Sequence, residues 1–186
     1  MAEVFAFLRD NGSLLYARRK GDGWQVSDRR RDAGPRGRKA CMIVPGTEVL
    51  GLQAVIPARN EAQARRAAPF AVEDDVGEPI ENAHVALGPK PSDPQMPRLI
   101  NVASNDQMQA WLATLSAAGL QDASLVAAHS ILPPGNVLVE AGALVLGRLN
   151  GRTFSMERAV GDDVFISLVE NSGEVQVYGA SLARAL

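Results

Sequence analysis

Residues 4–18 read VFAFLRDNGSLLYAR, and residues 136–149 read NVLVEAGALVLGRL. In the first stretch Asn11-Gly12 separates two short apolar runs, and this pair favours a tight hairpin because both residues tolerate positive φ. Strands are expected at residues 4–8 and 14–18, with a third at 23–26. In the second stretch, strands are expected at residues 137–140, 143–149 and 153–157, with Asn150-Gly151 as the turn between the last two. Two similar hairpin-led α/β units follow from this pattern. The first fills residues 1–133, with an inserted subdomain at about 89–133, and the second opens at 134–186. The second holds only about fifty residues and lacks most of what the first has, so the sequence reads as part of a longer protein.

The intervening segments supply the rest of an α/β pattern. Apolar runs at 40–44 and 49–56 read as strands, stopped by Pro45-Gly46 and Pro57. Residues 58–76 are rich in Ala, Glu, Gln and Arg and read as helix, divided or kinked at Pro69 because proline removes a backbone donor and crowds the preceding turn. Strands follow at 84–87 and 99–103, separated by GPKPSDPQMP, which holds four of the 11 prolines and reads as a surface connection or hinge. Met108, Trp111, Leu112 and Leu115 fall on one helical face, with Asn105 or Asp106 as the expected cap and Gly119 as the stop. A strand at 124–128, a helix at 162–169 and a strand at 174–178 complete the pattern. Residues 28–39 have no periodicity and read as a flexible loop.

Composition narrows the function classes. The chain has 186 residues, 46% apolar and 22% charged, with a net charge of -2. No run approaches the roughly 18 apolar residues of a spanning helix, and Arg9 and Asp10 interrupt the N-terminus too early for a signal-peptide core. Cys41 has no cysteine partner, and with His84 and His129 it makes no metal-ligand spacing, so no metal or other cofactor is expected. The near-neutral total hides an asymmetry: residues 18–39 carry nine basic and three acidic side chains, and residues 61–81 carry six acids against two arginines. Such clusters are ordinarily solvated faces. The basic one also suits an anionic membrane surface better than nucleic acid, because Trp24 is its only aromatic.

Catalytic constellations are missing from the sequence. There is no GxSxG and no Walker A motif. His84 and His129 read as structural residues, Cys41 as a small buried side chain, and the pairs Asp74-Asp75 and Asp162-Asp163 as carboxylates at helix ends rather than metal ligands. One phosphate-loop candidate stands at the first hairpin turn, Asp10-Asn11-Gly12-Ser13. In actin-like and sugar-kinase ATPases a D-x-G-[ST] turn offers backbone N–H groups and a hydroxyl to phosphates, and its Asp orients a metal. The second hairpin offers Glu140-Ala141-Gly142-Ala143 instead, with no Asp and no hydroxyl. Asp10, Gly12, Ser13 and Glu140 are the candidate phosphate-loop residues of incomplete loops, although four residues of the Asp10–Ser13 kind also make an ordinary hairpin turn.

Several blocks in order resemble the cytoplasmic region of the type II secretion system L protein, the GspL family. They are Val44-Pro45-Gly46; Pro57-Ala58-Arg59; Ala68-Pro69-Phe70 with Val72, Glu73 and Asp74; His84 to Gly88; Met108, Trp111-Leu112, Leu115 and Ala118-Gly119-Leu120; and Leu132-Pro133. The resemblance implies an actin-like, RNase-H-like α/β fold of mixed sheets with helices and a decayed nucleotide site. It implies a non-catalytic scaffold at the cytoplasmic face of the bacterial inner membrane, part of a single-span protein, that recruits the secretion ATPase GspE. GspM and GspF are implied as platform partners of the full-length protein, together with homodimer formation and no nucleic acid. Glu73, Asp74, Asp75, Glu78 and Glu81 are the expected contact residues for a basic partner. The alternatives are an active actin-like ATPase or kinase-type nucleotide-binding protein, which needs Asp10 and Glu140 in one cleft, and the related platform protein of type IV pilus assembly.

Overall fold

The computed structural model describes residues 4–9, 11–33 and 39–186. Strand β1 (Val4–Leu8) pairs antiparallel with β2 (Leu14–Lys20), which pairs antiparallel with β3 (Gly23–Ser27). The first turn closes through Arg9 N–H to the Ser13 carbonyl at 2.9 Å and Gly12 N–H to the Arg9 carbonyl at 2.9 Å, with Gly12 at φ +76°. Residues 30–33 form a short 3-10 turn where a loop is expected from sequence; residues 34–38 of that expectation lie outside the described residues. Strand β4 (Ala40–Val44) then runs parallel to β1. All five of its residues are buried, which explains an uninterrupted apolar run instead of alternation.

Next come β5 (Leu50–Ala54), helix α1 (Glu61–Val72), β6 (Ala83–Leu87) and β7 (Arg98–Ser104). The three strands make a separate antiparallel sheet in the order β5-β7-β6. Sequence places a subdomain at about 89–133, whereas the strands that pair apart from the other sheets come from residues 50–104. The core of this layer is Val72, Ile100 and Val102. Helix α1 runs through Pro69 as one element, where a division or kink is expected from sequence. Its Ala64, Ala68 and Val72 are buried, so packing of that face offsets the missing proline donor. Arg98, 7% exposed, ties β7 to the start of α1: it donates to both Glu61 carboxylate oxygens at 2.8 and 2.9 Å and through Nε to the Gly88 carbonyl at 2.8 Å.

Helix α2 (Asn105–Ala117) follows β7 directly. Its cap is Ser104, whose hydroxyl accepts from Gln107 N–H at 3.1 Å, not Asn105 or Asp106. The strand ends one residue earlier than the expected caps, and Ser104 keeps the extended backbone that a cap requires. Gly119 ends the helix at φ +66°, with Gly119 N–H bonding Ser116 and Leu120 N–H bonding Leu115, a Schellman closure. Trp111 and Leu115 enter the core beside Val4, Ala6, Tyr16, Met42 and Val44. Strand β8 (Ser124–Ala127) completes the first sheet in the order β3-β2-β1-β4-β8, with β8 parallel to β4.

The remainder builds β9 (Val137–Ala141), β10 (Leu144–Leu149), β11 (Arg152–Glu157), α3 (Asp162–Glu170), β12 (Gln176–Tyr178) and α4 (Ala180–Ala185). Asn150 and Gly151 both take positive φ, +50° and +80°, as a two-residue turn between β10 and β11 demands. The sheet order is β11-β10-β9-β12, with β12 parallel to β9. Both larger sheets therefore repeat one plan, a three-stranded antiparallel meander with a fourth strand parallel to its first. Leu138, Val145, Leu149, Phe165 and Leu182 form the core between this sheet and its two helices. The architecture is mixed α/β throughout.

Candidate functional site

A cleft of about 830 Å³ opens between the two hairpin turns, lined by Arg9 and Gly12 on one side, Gly142 to Leu144 and Arg158 on the other, with Trp111 in its wall. This is where the repeated plan brings the sequence-predicted phosphate loops together. The chemistry of the two turns decides what the cleft offers. The Asn11 Oδ1 accepts from both the Ser13 amide, at 3.0 Å, and the Ser13 hydroxyl, at 2.7 Å. The Gly12 amide is already bonded to Arg9. The donors that a phosphate cradle would present are thus satisfied inside the turn itself. Asp10 lies outside the described residues.

Glu140 does not line this cleft. Its Oε2 accepts from the backbone amides of Ser181 and Leu182, both at 3.2 Å, at the start of α4. The Ser181 side chain and these amides hold its carboxyl below the usual carboxylate range. A carboxylate on orphan amides of a first helical turn is a cap. On the same wall Arg158 bonds Asp162 and lies 5.4 Å from the centre of the Phe165 ring, tying the end of β11 to α3. Asp162 is accordingly an ion-pair partner at a helix start. Among the described residues no group of three His, Cys, Asp or Glu side chains could hold a metal ion.

The least conventional site in the molecule is internal. His129, fully buried, sits where the segment after β4, strand β5 and strand β11 converge. Its Nδ1 is 3.5 Å from the Ser155 hydroxyl, and its Nε2 has no hydrogen-bond partner among the described residues. Burial first, and the Arg148 guanidinium second, push the imidazole down to about 4, with the Gly46 backbone pulling weakly the other way. Two glycines make room for it. A methyl at Gly46 would stand 2.0 Å from Ser155 Oγ and 2.5 Å from His129 Nδ1, and one at Gly51 would stand 2.8 Å from the Thr153 carbonyl. Sequence does read His129 as structural; its position at a three-way junction is not visible there. Cys41 is also buried, and burial pushes its thiol up despite a bond to Ser124.

The five predicted contact acids, Glu73, Asp74, Asp75, Glu78 and Glu81, are all exposed beyond the end of α1, and none is in an ion pair among the described residues. Beside them is a residue sequence reasoning did not single out as functional. Phe70 is 76% exposed, the most exposed large apolar side chain among the described residues. It lies one turn before Glu73, so an exposed aromatic ring and the exposed acids share one end of the helix.

The family model for the type II secretion system (T2SS) protein L matches residues 8–180. The chain belongs to the type II secretion protein L family. Among solved structures, it resembles the cytoplasmic domain of EpsL, an inner membrane component of the type II secretion system of Vibrio cholerae. The TM-score is 0.69 at 14% identity, covering 94% of this chain and 80% of that one. At this identity the likeness is one of fold. No curated protein matches the chain in sequence. This protein L family member is a component of a multi-protein secretion system. Among its described residues no helix is long and apolar enough to cross a membrane.

Proposed function

We propose that this protein L family member is a non-catalytic scaffold at the cytoplasmic face of the inner membrane, which recruits the secretion ATPase GspE to the export platform. The observation that carries the reading is the state of the two turns. Ser13 and Gly12 direct their donors into their own loop, and Glu140 caps α4. A frame with the plan of an actin-like, RNase-H-like protein thus keeps its meanders and has lost the phosphate contacts. The shared topology of the two larger sheets supports that fold name, and supports two units, residues 1–133 and 134–186. GspM, GspF and a second copy are the further partners of the full-length protein in this reading.

The proposed contact point is the end of α1, where Phe70 anchors and Glu73, Asp74, Asp75, Glu78 and Glu81 meet a basic partner. The test is calorimetric titration with the isolated N-terminal domain of the cognate ATPase. Saturable one-to-one binding supports recruitment; absence of binding with both proteins folded overturns it. A parallel titration with Mg-ATP is expected to give no heat, and saturable heat would instead favour a nucleotide-binding enzyme.

A further inference from the structure

The β2–β3 hairpin carries an apolar pair that is more than half exposed. Trp24 is 58% exposed and Val26 is 56% exposed, and two-residue spacing puts them on one face of β3, the edge strand of the first sheet. The Phe5 ring meets the Trp24 ring edge to face at 5.7 Å, which props the indole from the next-but-one strand. In register, Arg19 stands opposite Trp24 and Lys20 opposite Gly23. Arg19 is exposed directly across from Trp24, and Lys20, Arg29, Arg31 and Lys39 are exposed elsewhere in residues 18–39. Among the described residues from 18 to 39, seven cations stand against three carboxylates, in a chain whose net charge is -2. One of those carboxylates, Asp32, accepts from the Ser27 hydroxyl at 2.6 Å and lies 3.8 Å from Arg31.

We infer that the β2–β3 hairpin rests on an anionic lipid surface, with Trp24 and Val26 entering the interface and the exposed cations facing the headgroups. Edge strands are ordinarily protected by charge, proline, bulges or a covering segment, and an exposed indole beside a valine serves none of these. An indole with an apolar body and one polar tip suits the boundary between acyl chains and headgroups. Nucleic acid fits less well, because among the described residues Trp24 is the one largely exposed aromatic of the hairpin, and its ring already meets Phe5. An acidic protein fits the cations but gives no reason for the apolar pair to lie at the outermost strand. The inference goes beyond recruitment of an ATPase, and its test uses none.

The test is co-sedimentation of the chain with vesicles of phosphatidylcholine containing phosphatidylglycerol, against vesicles of phosphatidylcholine alone. Binding is expected to the anionic vesicles only, and to be lost at about 1 M salt, where the screening length is about 3 Å. Each cation near the surface contributes about fivefold in partitioning, so Arg19→Glu with Lys20→Glu is expected to weaken binding by at least about 25-fold. Trp24→Ala is expected to weaken it about tenfold through loss of the inserted ring. In the wild type, vesicles should shift tryptophan emission to the blue, and this shift should vanish in Trp24→Phe because Trp111 is only 2% exposed. All substituted side chains are exposed, and unchanged circular dichroism confirms folding of each variant. Equal sedimentation with both vesicle types, or no effect of the charge reversals, overturns the inference. Binding to a single-stranded oligonucleotide without binding to vesicles would also overturn it and assign the patch to nucleic acid.

Discussion

Lowering the pH from 7 to 5 should cost this protein about 2 kcal/mol of stability through His129 alone. The unfolded imidazole takes its proton near 6.5, whereas in the folded protein burial and Arg148 hold it at about 4. Folding is therefore opposed by protonation: the contribution is intact above pH 6.5, is lost progressively as pH falls, and is fully lost only near pH 4. At about 1.4 kcal/mol per pH unit the full loss is about 3 kcal/mol, of which about 2 has accrued by pH 5. Glu61, held down by Arg98 and Arg65, and Glu140 also destabilise the fold in acid. Their window begins near the unfolded carboxylate range, below pH 4.5, so the decline between 6.5 and 5 isolates the imidazole. The assay is urea denaturation at closely spaced pH values for the wild type and for His129→Gln, which retains a polar group of similar reach. The variant should be less stable at pH 7 and should show a much flatter slope between pH 7 and 5. Parallel slopes would refute the argument, because the proton uptake would then reside elsewhere.

Four further outcomes are expected. Gly46→Ala should destabilise by about 1–3 kcal/mol in thermal or urea unfolding, since its methyl would overlap Ser155 and His129, whereas Gly77→Ala, with open space around it, should not. Arg98→Met should cost about 1–3 kcal/mol by leaving the Gly88 carbonyl without its donor, measured the same way. Phe70→Ala should leave the melting temperature unchanged and weaken the ATPase-domain titration by about 30-fold, the cost of a central anchor. Asn11→Ala should lower stability by at most about 1 kcal/mol, as both its bonds are exposed, and should not confer Mg-ATP binding.

What was legible in the sequence was what neighbouring residues decide. Asn11-Gly12 and Asn150-Gly151 specify their turns because each conformation is chosen within two residues. Gly119 stops α2 for the same reason, and β4 shows itself by five apolar residues in a row. The cap of α2 was less legible because Ser104, Asn105 and Asp106 are all competent, and only the point where β7 stops pairing selects among them. Helix α4 was invisible: six residues do not hold a helix alone, and its cap, Glu140, comes from a strand forty residues earlier. The separate sheet at 50–104 likewise depends on which strands find each other. His129 needed Gly46, Gly51, Thr153 and Ser155 from three segments before its burial had any meaning.

The two turns show how a hairpin can satisfy its own donors without a ligand. A turn that cradles phosphate has its amides pointing outward and depends on the anion to satisfy them. Here Asn11 supplies an internal acceptor, so the Ser13 amide and hydroxyl are satisfied with no anion present. The paired strands on either side keep their register, because it is set by Leu8 opposite Leu14 and not by what the turn binds. At the second turn Glu140 is directed away to α4, where its charge stabilises the start of a helix that helps bury Leu138 and Leu182. The Ser13 hydroxyl and the Glu140 carboxylate thus both have structural partners. Phe70 and Trp24 stay exposed on other parts of the fold, and it is there that binding is expected.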